Sequence, residues 1–229
     1  MNAIEIDKCK NVGLTTLMKG YASFTPNQTS LLENAGWISV QNDDDNATSI
    51  TSAAGYFDVI IPLKMIFGFA EDYSKIVVNA KHELVLNRSR NDLNAIRQTL
   101  TGAEGNQSYE NYKIELSKIE VLKPYITLSV RLKLNLLSHL KKNIIMTFRT
   151  WELFEYPLLP ATTRHVWPIK TSNQLEKPRY ILLAFQTNRK NQNSTNASRF
   201  DNCNIRNVKL FLNSQYLSLI HISEPTRPY

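Results

Sequence analysis

The amino-acid sequence predicts an all-β fold, a sandwich of short strands with one short helix. Two observations lead to this prediction: apolar residues recur at every second position in several short segments, and long polar segments separate them. Alternation with a period of two places one set of side chains on a single face of an extended strand. Long polar connections fit a Greek-key sandwich better than a meander of tight hairpins.

The first half of the chain contains two predicted strands. Residues 56–63 are aromatic and β-branched, and Pro62 closes the segment where a ladder donor is no longer needed. Residues 75–86 follow a two-residue period. Between them, Leu63, Ile66 and Phe67 share one helical face, so we expect a single helical turn that ends at Gly68.

The second half contains four more predicted strands: 114–121, 143–156, 180–187 and 208–212. The first changes phase partway along, which is typical of a β-bulge. Residues 180–187 are apolar almost throughout, as in a strand that is covered on both faces.

The segment 126–140 fits two structures. Ile126, Leu128 and Val130 alternate as in a strand, whereas Leu132 and Leu136 share a helical face. The period alone leaves both assignments open.

Composition and charge narrow the class of protein. With 42% hydrophobic residues the chain can form a core, and 27 Lys and Arg against 20 Asp and Glu give a net charge of +7. This excess is compatible with a polyanionic partner, although a solvated surface is the simpler explanation of the charge alone. The apolar runs 59–63 and 180–185 fall well short of the ~18 residues of a spanning helix. We therefore expect an intracellular protein, cytoplasmic or nuclear and not secreted, without a membrane partner.

The sequence offers no set of reactive residues. The histidines at 82, 139 and 165 are scattered, and the two cysteines, Cys9 and Cys203, belong to no paired motif. The run Asp43–Asp45 lacks the Gly and Glu of a calcium hand, and no glycine-rich phosphate loop is present. We expect no catalytic residue, no metal site and no cofactor, and hence no enzyme.

Three stretches resemble a known family. Residues 57–73 read Phe-Asp-Val-Ile-Ile-Pro-Leu-Lys-Met-Ile-Phe-Gly-Phe-Ala-Glu-Asp-Tyr, and 148–157 read Phe-Arg-Thr-Trp-Glu-Leu-Phe-Glu-Tyr-Pro. Residues 176–187 read Glu-Lys-Pro-Arg-Tyr-Ile-Leu-Leu-Ala-Phe-Gln-Thr, followed by Arg-Phe-Asp at 199–201 and Asn-Val-Lys-Leu at 207–210. In this order they resemble the double jelly-roll-like domain proteins of animal genomes. That family is similar to the major capsid proteins of Polinton (Maverick) elements and related DNA viruses.

The resemblance implies an architectural role for the motif residues. Glu71 and Asp72 are expected near a loop, where they can pair with basic residues, and Pro178 fixes the entry into the strand at Tyr180. The structural family motif comprises Pro62, Leu63, Phe67, Gly68, Phe69, Glu71, Asp72, Tyr73, Trp151, Tyr156, Glu176, Lys177, Pro178, Arg179, Phe185, Gln186, Thr187, Phe200 and Asp201.

The resemblance also implies a domain organisation. The fold is then a jelly-roll β-sandwich made of parts of a double jelly roll. Residues 1–100 form the C-terminal part of the first jelly roll, and 101–216 form the start of the second, with a short helix near 129–141. Strands are expected before residue 4, which makes the chain a fragment. Residues 217–229 resemble a translated sequencing adapter and are expected not to be native.

The function implied by the resemblance is that of a capsid-like structural protein from a virus-like mobile element or an integrated DNA virus. It assembles with itself, as a homotrimer in the complete protein, and its charge suits packaged DNA. In an active element we expect it in a virion-like particle. One alternative is a domesticated host binding module that forms no shell, and another is a nucleic-acid-binding protein that uses the +7 charge.

Overall fold

The computed structural model describes residues 3–38, 50–52, 54–78, 80–98, 109, 111–156, 158–169, 178–212 and 215–219. These residues form five α-helices, one 3-10 helix and two β-strands. The helices are α1 (Val12–Ser23), α2 (Pro26–Leu31), the 3-10 helix Glu33–Ala35, α3 (Leu63–Ile66), α4 (Gly68–Asp72) and α5 (Val130–His139). The strands are β1 (Lys209–Leu212) and β2 (Gln215–Leu219).

The prediction of an all-β jelly-roll sandwich is wrong for the described part of the chain. There, the β structure is one two-stranded hairpin and a single bridge between Phe185 and Asp201. Among the predicted strands only 208–212 coincides with a strand of the structure. A period of two is satisfied by any extended segment, but a strand also requires a neighbour for its backbone N–H and C=O groups. The sequence of one segment does not specify that neighbour.

The apolar run that begins at Tyr180 also differs from the predicted sandwich. We expected this run to be covered on both faces, yet Tyr180 is 62% exposed, and Leu182 and Leu183 are 37% and 46% exposed. The described residues do not supply the layers that would cover this run.

The chain is divided into two compact units. Unit 1 comprises Met1–Arg88 and Lys113–Ser172, and unit 2 comprises Ser89–Tyr112 and Asn173–Tyr229. The predicted boundary between residues 100 and 101 lies outside the described residues. The division into 1–100 and 101–216 therefore stays a prediction.

The core of unit 1 lies between α1 and α3. Met65 of α3 is 4% exposed and is the only buried hydrophobic side chain among the described residues. From α1, Thr16 Oγ1 donates to the carbonyl of Met65 at 3.4 Å, and Lys19 Nζ donates to the carbonyl of Lys64 at 2.8 Å. These bonds satisfy carbonyl groups of a helix that is only four residues long.

The end of α1 meets an aromatic cluster. The ring of Trp37 lies 5.4 Å from that of Tyr21 and 5.1 Å from that of Phe24, the second in an edge-to-face arrangement. Gly20 makes this packing possible, because a β-carbon at that position would overlap the Trp37 ring. Close to this cluster, a capping box of Thr25 and Gln28 begins α2.

Helix α5 lies within the range 129–141 for which a helix is predicted. Its N-cap is Ser129, whose hydroxyl accepts a hydrogen bond from the backbone of Leu132. No residue of α5 is buried. The strand alternative for this segment therefore does not apply between Val130 and His139.

Unit 2 contains the hairpin. Strands β1 and β2 are antiparallel, with Leu212 opposite Gln215 and Phe211 opposite Tyr216. A bulge interrupts the ladder between Lys209 and Phe211. The residues 217–219 of β2 belong to the segment 217–229, whose foreign origin stays a prediction.

Candidate functional site

Three motif residues of unit 1, Glu71, Asp72 and Trp151, lie in an ion cluster around Asp72. The guanidinium of Arg149 donates from Nε to Oδ2 of Asp72 at 2.8 Å and from a terminal nitrogen to Oδ1 at 2.5 Å. The backbone N–H of Arg149 donates to the same Oδ2 at 2.8 Å. A bidentate pair with a third donor is among the strongest hydrogen-bonded arrangements of a carboxylate.

Lys19 and Glu71 extend this cluster towards α1. Lys19 Nζ lies 2.7 Å from Oε2 of Glu71, and a terminal nitrogen of Arg149 lies 3.7 Å from the same oxygen. Only 4% of the Lys19 side chain is exposed, and its ammonium group lies 5.8 Å from the centre of the Trp151 ring. A buried ammonium needs such partners, because an isolated charge would be costly to remove from water. We call Lys19, Glu71, Asp72, Arg149 and Trp151 the Asp72 cluster.

The electrostatics of the Asp72 cluster favour a permanently ionised carboxylate. The hydrogen bonds from the Arg149 side chain lower the pKa of Asp72 from 3.8 to about 2, against the opposing effect of burial. A carboxylate with such a low pKa and three N–H donors is a poor general base near neutral pH. The arrangement instead joins α1, α4 and the segment at 149–151, which is a positioning role.

Two further contacts fix α4 beside this cluster. Oδ2 of Asp7 accepts a hydrogen bond from the backbone of Phe69 at 2.9 Å and so satisfies a free N–H in the first turn of α4. At Gly68 the chain passes so close to the carbonyl of Arg149 that a β-carbon would overlap its oxygen. Glycine is therefore required there for a close approach of two backbones.

The aromatic motif residues pack around α4. The ring of Phe69 stacks on that of Tyr73 at 5.4 Å and meets Phe148 edge to face at 5.1 Å. Phe148 directly precedes Arg149, so this packing and the ion pair hold the same stretch of chain against α4.

Unit 2 contains a second ion cluster of similar design, around Asp201. Arg189 donates to Asp201 from Nε at 2.9 and 3.1 Å and from a terminal nitrogen at 2.6 Å. The backbone N–H of Thr187 donates to the same carboxylate at 2.7 Å. These bonds, led by those of the Arg189 side chain, lower the pKa of Asp201. We call Thr187, Arg189 and Asp201 the Asp201 cluster.

The neighbours of the Asp201 cluster are also motif residues. The backbone N–H of Asp201 donates to the carbonyl of Phe185 at 2.8 Å. The amide of Gln186 donates to the carbonyls of Ala197 at 2.8 Å and Arg199 at 3.0 Å. Gln186 therefore holds the loop that returns the chain to Asp201.

The remaining motif residues do not belong to either cluster. Pro62 is the N-cap of α3 and Phe67 that of α4. Tyr156 meets His165 at 4.6 Å and Trp167 at 5.7 Å, both edge to face. Glu176 and Lys177 lie outside the described residues, while Pro178 and Arg179 are exposed.

The motif residues named from the sequence include the three acids of these clusters, with Trp151 and Thr187, but not the basic partners Lys19, Arg149 and Arg189. Arg149 lies inside the motif stretch 148–157, so its position there was an available signal. Lys19 had none, because the spacing of 52 residues between Lys19 and Glu71 follows no periodic pattern. Long-range pairs of this kind depend on the tertiary fold and not on local sequence.

Two further features of the described residues concern metal ions and membranes. Within the described residues, no three His, Cys, Asp or Glu side chains form a group that could hold a metal ion. In the same part of the chain, each helix is too short or too polar to cross a bilayer.

Comparison with known proteins gives one result. The family model for the double jelly roll-like domain matches residues 1–221. The chain therefore belongs to the double jelly roll-like domain family. Neither a curated protein nor a solved structure matches it.

Proposed function

We propose that this chain is a capsid-like structural protein that assembles with copies of itself, derived from a virus-like mobile element or an integrated DNA virus. Its family membership supports a capsid-type scaffold. The proposed complete assembly unit is a homotrimer, formed in the cytoplasm or the nucleus. The proposed role is non-enzymatic and uses no cofactor.

The observation that carries the proposal is the exposure of large apolar side chains in both units. In unit 1, Tyr56 and Ile60 are 63% and 67% exposed. In unit 2, Tyr180 and Leu183 are 62% and 46% exposed. Large exposed apolar side chains that cluster in short segments are candidates for a surface that another molecule covers.

A second copy of the chain is the proposed occupant of these apolar surfaces. Shells are built from repeated contacts between identical chains, so each surface must find its complement on a copy. The residues 56–61 and 180–183 are the assembly surfaces of this proposal.

Light scattering coupled to size-exclusion chromatography tests the proposal. We expect the unaltered chain to elute as a trimer or a larger assembly. The variant Ile60→Asp/Leu183→Asp is expected to elute as a monomer, because a buried unpaired carboxylate opposes association. As a control, Ile145→Asp changes an exposed isoleucine outside both assembly surfaces and should leave the mass unchanged. A monomeric unaltered chain at micromolar concentration contradicts the proposal.

One observation favours the binding module as a second candidate. Tyr156, His165 and Trp167 form an aromatic cluster in which Tyr156 is 42% exposed. Exposed aromatic residues are common at recognition sites, where a flat apolar face meets a partner. A monomeric chain whose Trp167 fluorescence changes on addition of oligosaccharides would favour this candidate over assembly.

A further inference from the structure

The positive charge of the chain is concentrated in one segment. Residues 121–145, which we call the basic segment, contain Lys123, Arg131, Lys133, Lys141 and Lys142 and no Asp or Glu. The other 204 residues carry 22 Lys or Arg and 20 Asp or Glu, which is close to neutrality. The basic segment therefore accounts for five of the seven net charges.

These five cations are free to meet a partner. All five residues are exposed, and none forms an ion pair with another described residue. By contrast, Arg149 and Arg189 are engaged in the two ion clusters. The charge of the basic segment is thus not used to stabilise the described structure.

The same segment exposes large aliphatic side chains. On α5, Val130, Leu134 and Leu137 follow the spacing i, i+4 and i+7 and are 77%, 63% and 48% exposed. They form an apolar stripe along one side of the helix, and Leu132, which is 54% exposed, lies on the opposite side. Beyond the helix, Tyr125 and Ile145 are 94% and 81% exposed. Lys133 lies beside the stripe, whereas Arg131 and Asn135 lie on another side of the helix.

Three kinds of partner can be compared with this surface. A nucleic acid duplex would neutralise the lysines through its phosphates but would leave the aliphatic stripe exposed to water. A single strand stacks its bases on aromatic rings, and the basic segment has one Phe, Trp or Tyr residue, Tyr125. A second copy would cover the aliphatic stripe, but the rest of the chain has almost no net charge to match five cations. A bilayer with anionic lipids can bind both the stripe and the cations. The aliphatic side chains enter the boundary of the acyl chains, and the lysines contact the anionic headgroups.

We propose that the basic segment binds the surface of an anionic phospholipid membrane, with α5 lying in the plane of the interface. The expectation that the chain has no membrane partner rested on the lack of a spanning apolar run, which surface binding does not require. The inference uses residues outside the assembly surfaces and does not depend on the proposed function.

Flotation of the full chain with vesicles tests this proposal. We expect the chain to float with vesicles of phosphatidylcholine and phosphatidylserine but not with vesicles of phosphatidylcholine alone. Added salt should weaken the binding, because it screens the exposed lysines. Equal binding to both vesicle types, or binding to neither, would overturn the proposal.

Two variants separate the charged and apolar contributions. In Lys133→Gln/Lys141→Gln/Lys142→Gln we expect the partition coefficient to fall about 100-fold, from about fivefold for each lysine. Leu134→Ser/Leu137→Ser should also weaken binding, because it removes the apolar stripe. The matched controls are Lys8→Gln/Lys10→Gln/Arg179→Gln and Leu158→Ser/Val166→Ser, which change exposed residues elsewhere. Controls that weaken binding as much as their counterparts would contradict the proposed location.

A competition experiment distinguishes the membrane from nucleic acid. A short DNA duplex is added to the chain together with vesicles that contain phosphatidylserine. Continued flotation at duplex concentrations equal to that of the lipid headgroups supports the membrane assignment. Transfer of the chain to the duplex, with the serine variant of the stripe binding it equally well, would show that the basic segment serves a nucleic acid instead. The Ile60→Asp/Leu183→Asp variant should float normally, so a failure of assembly and a failure of membrane binding are distinguishable.

Discussion

Arg149 approaches Asp72 with three donors: two from its guanidinium, at 2.8 and 2.5 Å, and one from its backbone N–H, at 2.8 Å. In unit 2, Nε and a terminal nitrogen of Arg189 donate hydrogen bonds to Asp201, and the backbone N–H of Thr187 donates a third at 2.7 Å. Both aspartates belong to the motif residues. The aspartate side chain is short, and the two oxygens of its charged carboxylate can accept this many strong hydrogen bonds at once.

Replacement of Asp72 by Asn tests how much the Asp72–Arg149 pair contributes to the free energy of unfolding. The Asp72 side chain is 20% exposed and that of Arg149 is 36% exposed, so loss of the charge removes the nearest counterion of a partly covered guanidinium and leaves it Glu71 at 3.7 Å. We expect the free energy of unfolding, measured with urea, to fall by about 1.5–3 kcal/mol. The control is Asp58→Asn, at an exposed position, which should change it by less than about 0.5 kcal/mol. Equal effects would show that the pair contributes no more than a surface charge.

Stability should also depend on pH through Asp72. Its pKa is lowered from 3.8 to about 2, so the folded state binds the proton less readily than the unfolded state. The stabilisation is therefore complete above pH 3.8 and is lost as the pH falls towards about 2. Urea unfolding across this interval should show a smaller loss for Asp72→Asn than for the unaltered chain. Parallel curves for the two proteins would exclude this assignment.

Two glycines give a matched test of close packing. Gly68→Ala introduces a β-carbon that overlaps the Arg149 carbonyl oxygen, and we expect it to lower the free energy of unfolding by about 1–3 kcal/mol. Gly13 lies in α1 with no atom within 4 Å of an added β-carbon. Gly13→Ala should therefore stabilise the helix by up to about 1 kcal/mol. If both substitutions have the same sign, the backbone contact at Gly68 is not tight.

The Asp201 cluster makes a prediction for amide exchange. The N–H of Thr187 is held by Asp201 at 2.7 Å. In Asp201→Ala we expect this amide to exchange with solvent about tenfold faster or more, because a bond to a charged group is worth about 1.5–3 kcal/mol. Hydrogen exchange followed by mass spectrometry measures it, with the amide of Phe69, bonded to Asp7 in unit 1, as the internal control. Unchanged exchange at Thr187 would contradict the assignment.

The two cysteines should differ in reactivity. Burial raises the pKa of the Cys9 thiol, whereas Cys203 is exposed. Since the thiolate is the reactive form, iodoacetamide at pH 8 should alkylate Cys203 before Cys9. The variants Cys9→Ser and Cys203→Ser, each with one thiol left, give the two rates by mass spectrometry. Faster labelling of Cys9 would contradict the burial of its side chain.

Local signals in the sequence predicted the helices better than the strands. The turn at Leu63 follows from the spacing of apolar residues, and Ser129 supplies the cap of α5. The predicted stop at Gly68 is wrong, because α3 ends at Ile66 and Gly68 begins α4. Helices α1, α2 and α4 were not predicted, although Thr25, Pro26 and Gln28 form a capping signature for α2 in the sequence.

The strand predictions failed for a different reason. Alternation in 56–63 or 114–121 is a property of one segment, but a ladder is a property of two. The site shows the same limit: the motif contained Glu71 and Asp72, whereas their partners Lys19 and Arg149 are joined to them only by the folded chain.

The separation of Asp72 from Arg149 by 77 residues has a consequence for folding during synthesis. At about 5–20 residues per second of synthesis, roughly 4–15 s pass after Asp72 is made before Arg149 is available. The interval is longer for the hydrogen bond between Asn11 and Glu155, because Glu155 lies 144 residues after Asn11. During that interval Lys19 can already pair with Glu71, whereas Asp72 still lacks Arg149. Unit 1 is therefore completed only after residue 149 has been made, and a nascent chain stalled before residue 149 should be a substrate for chaperones.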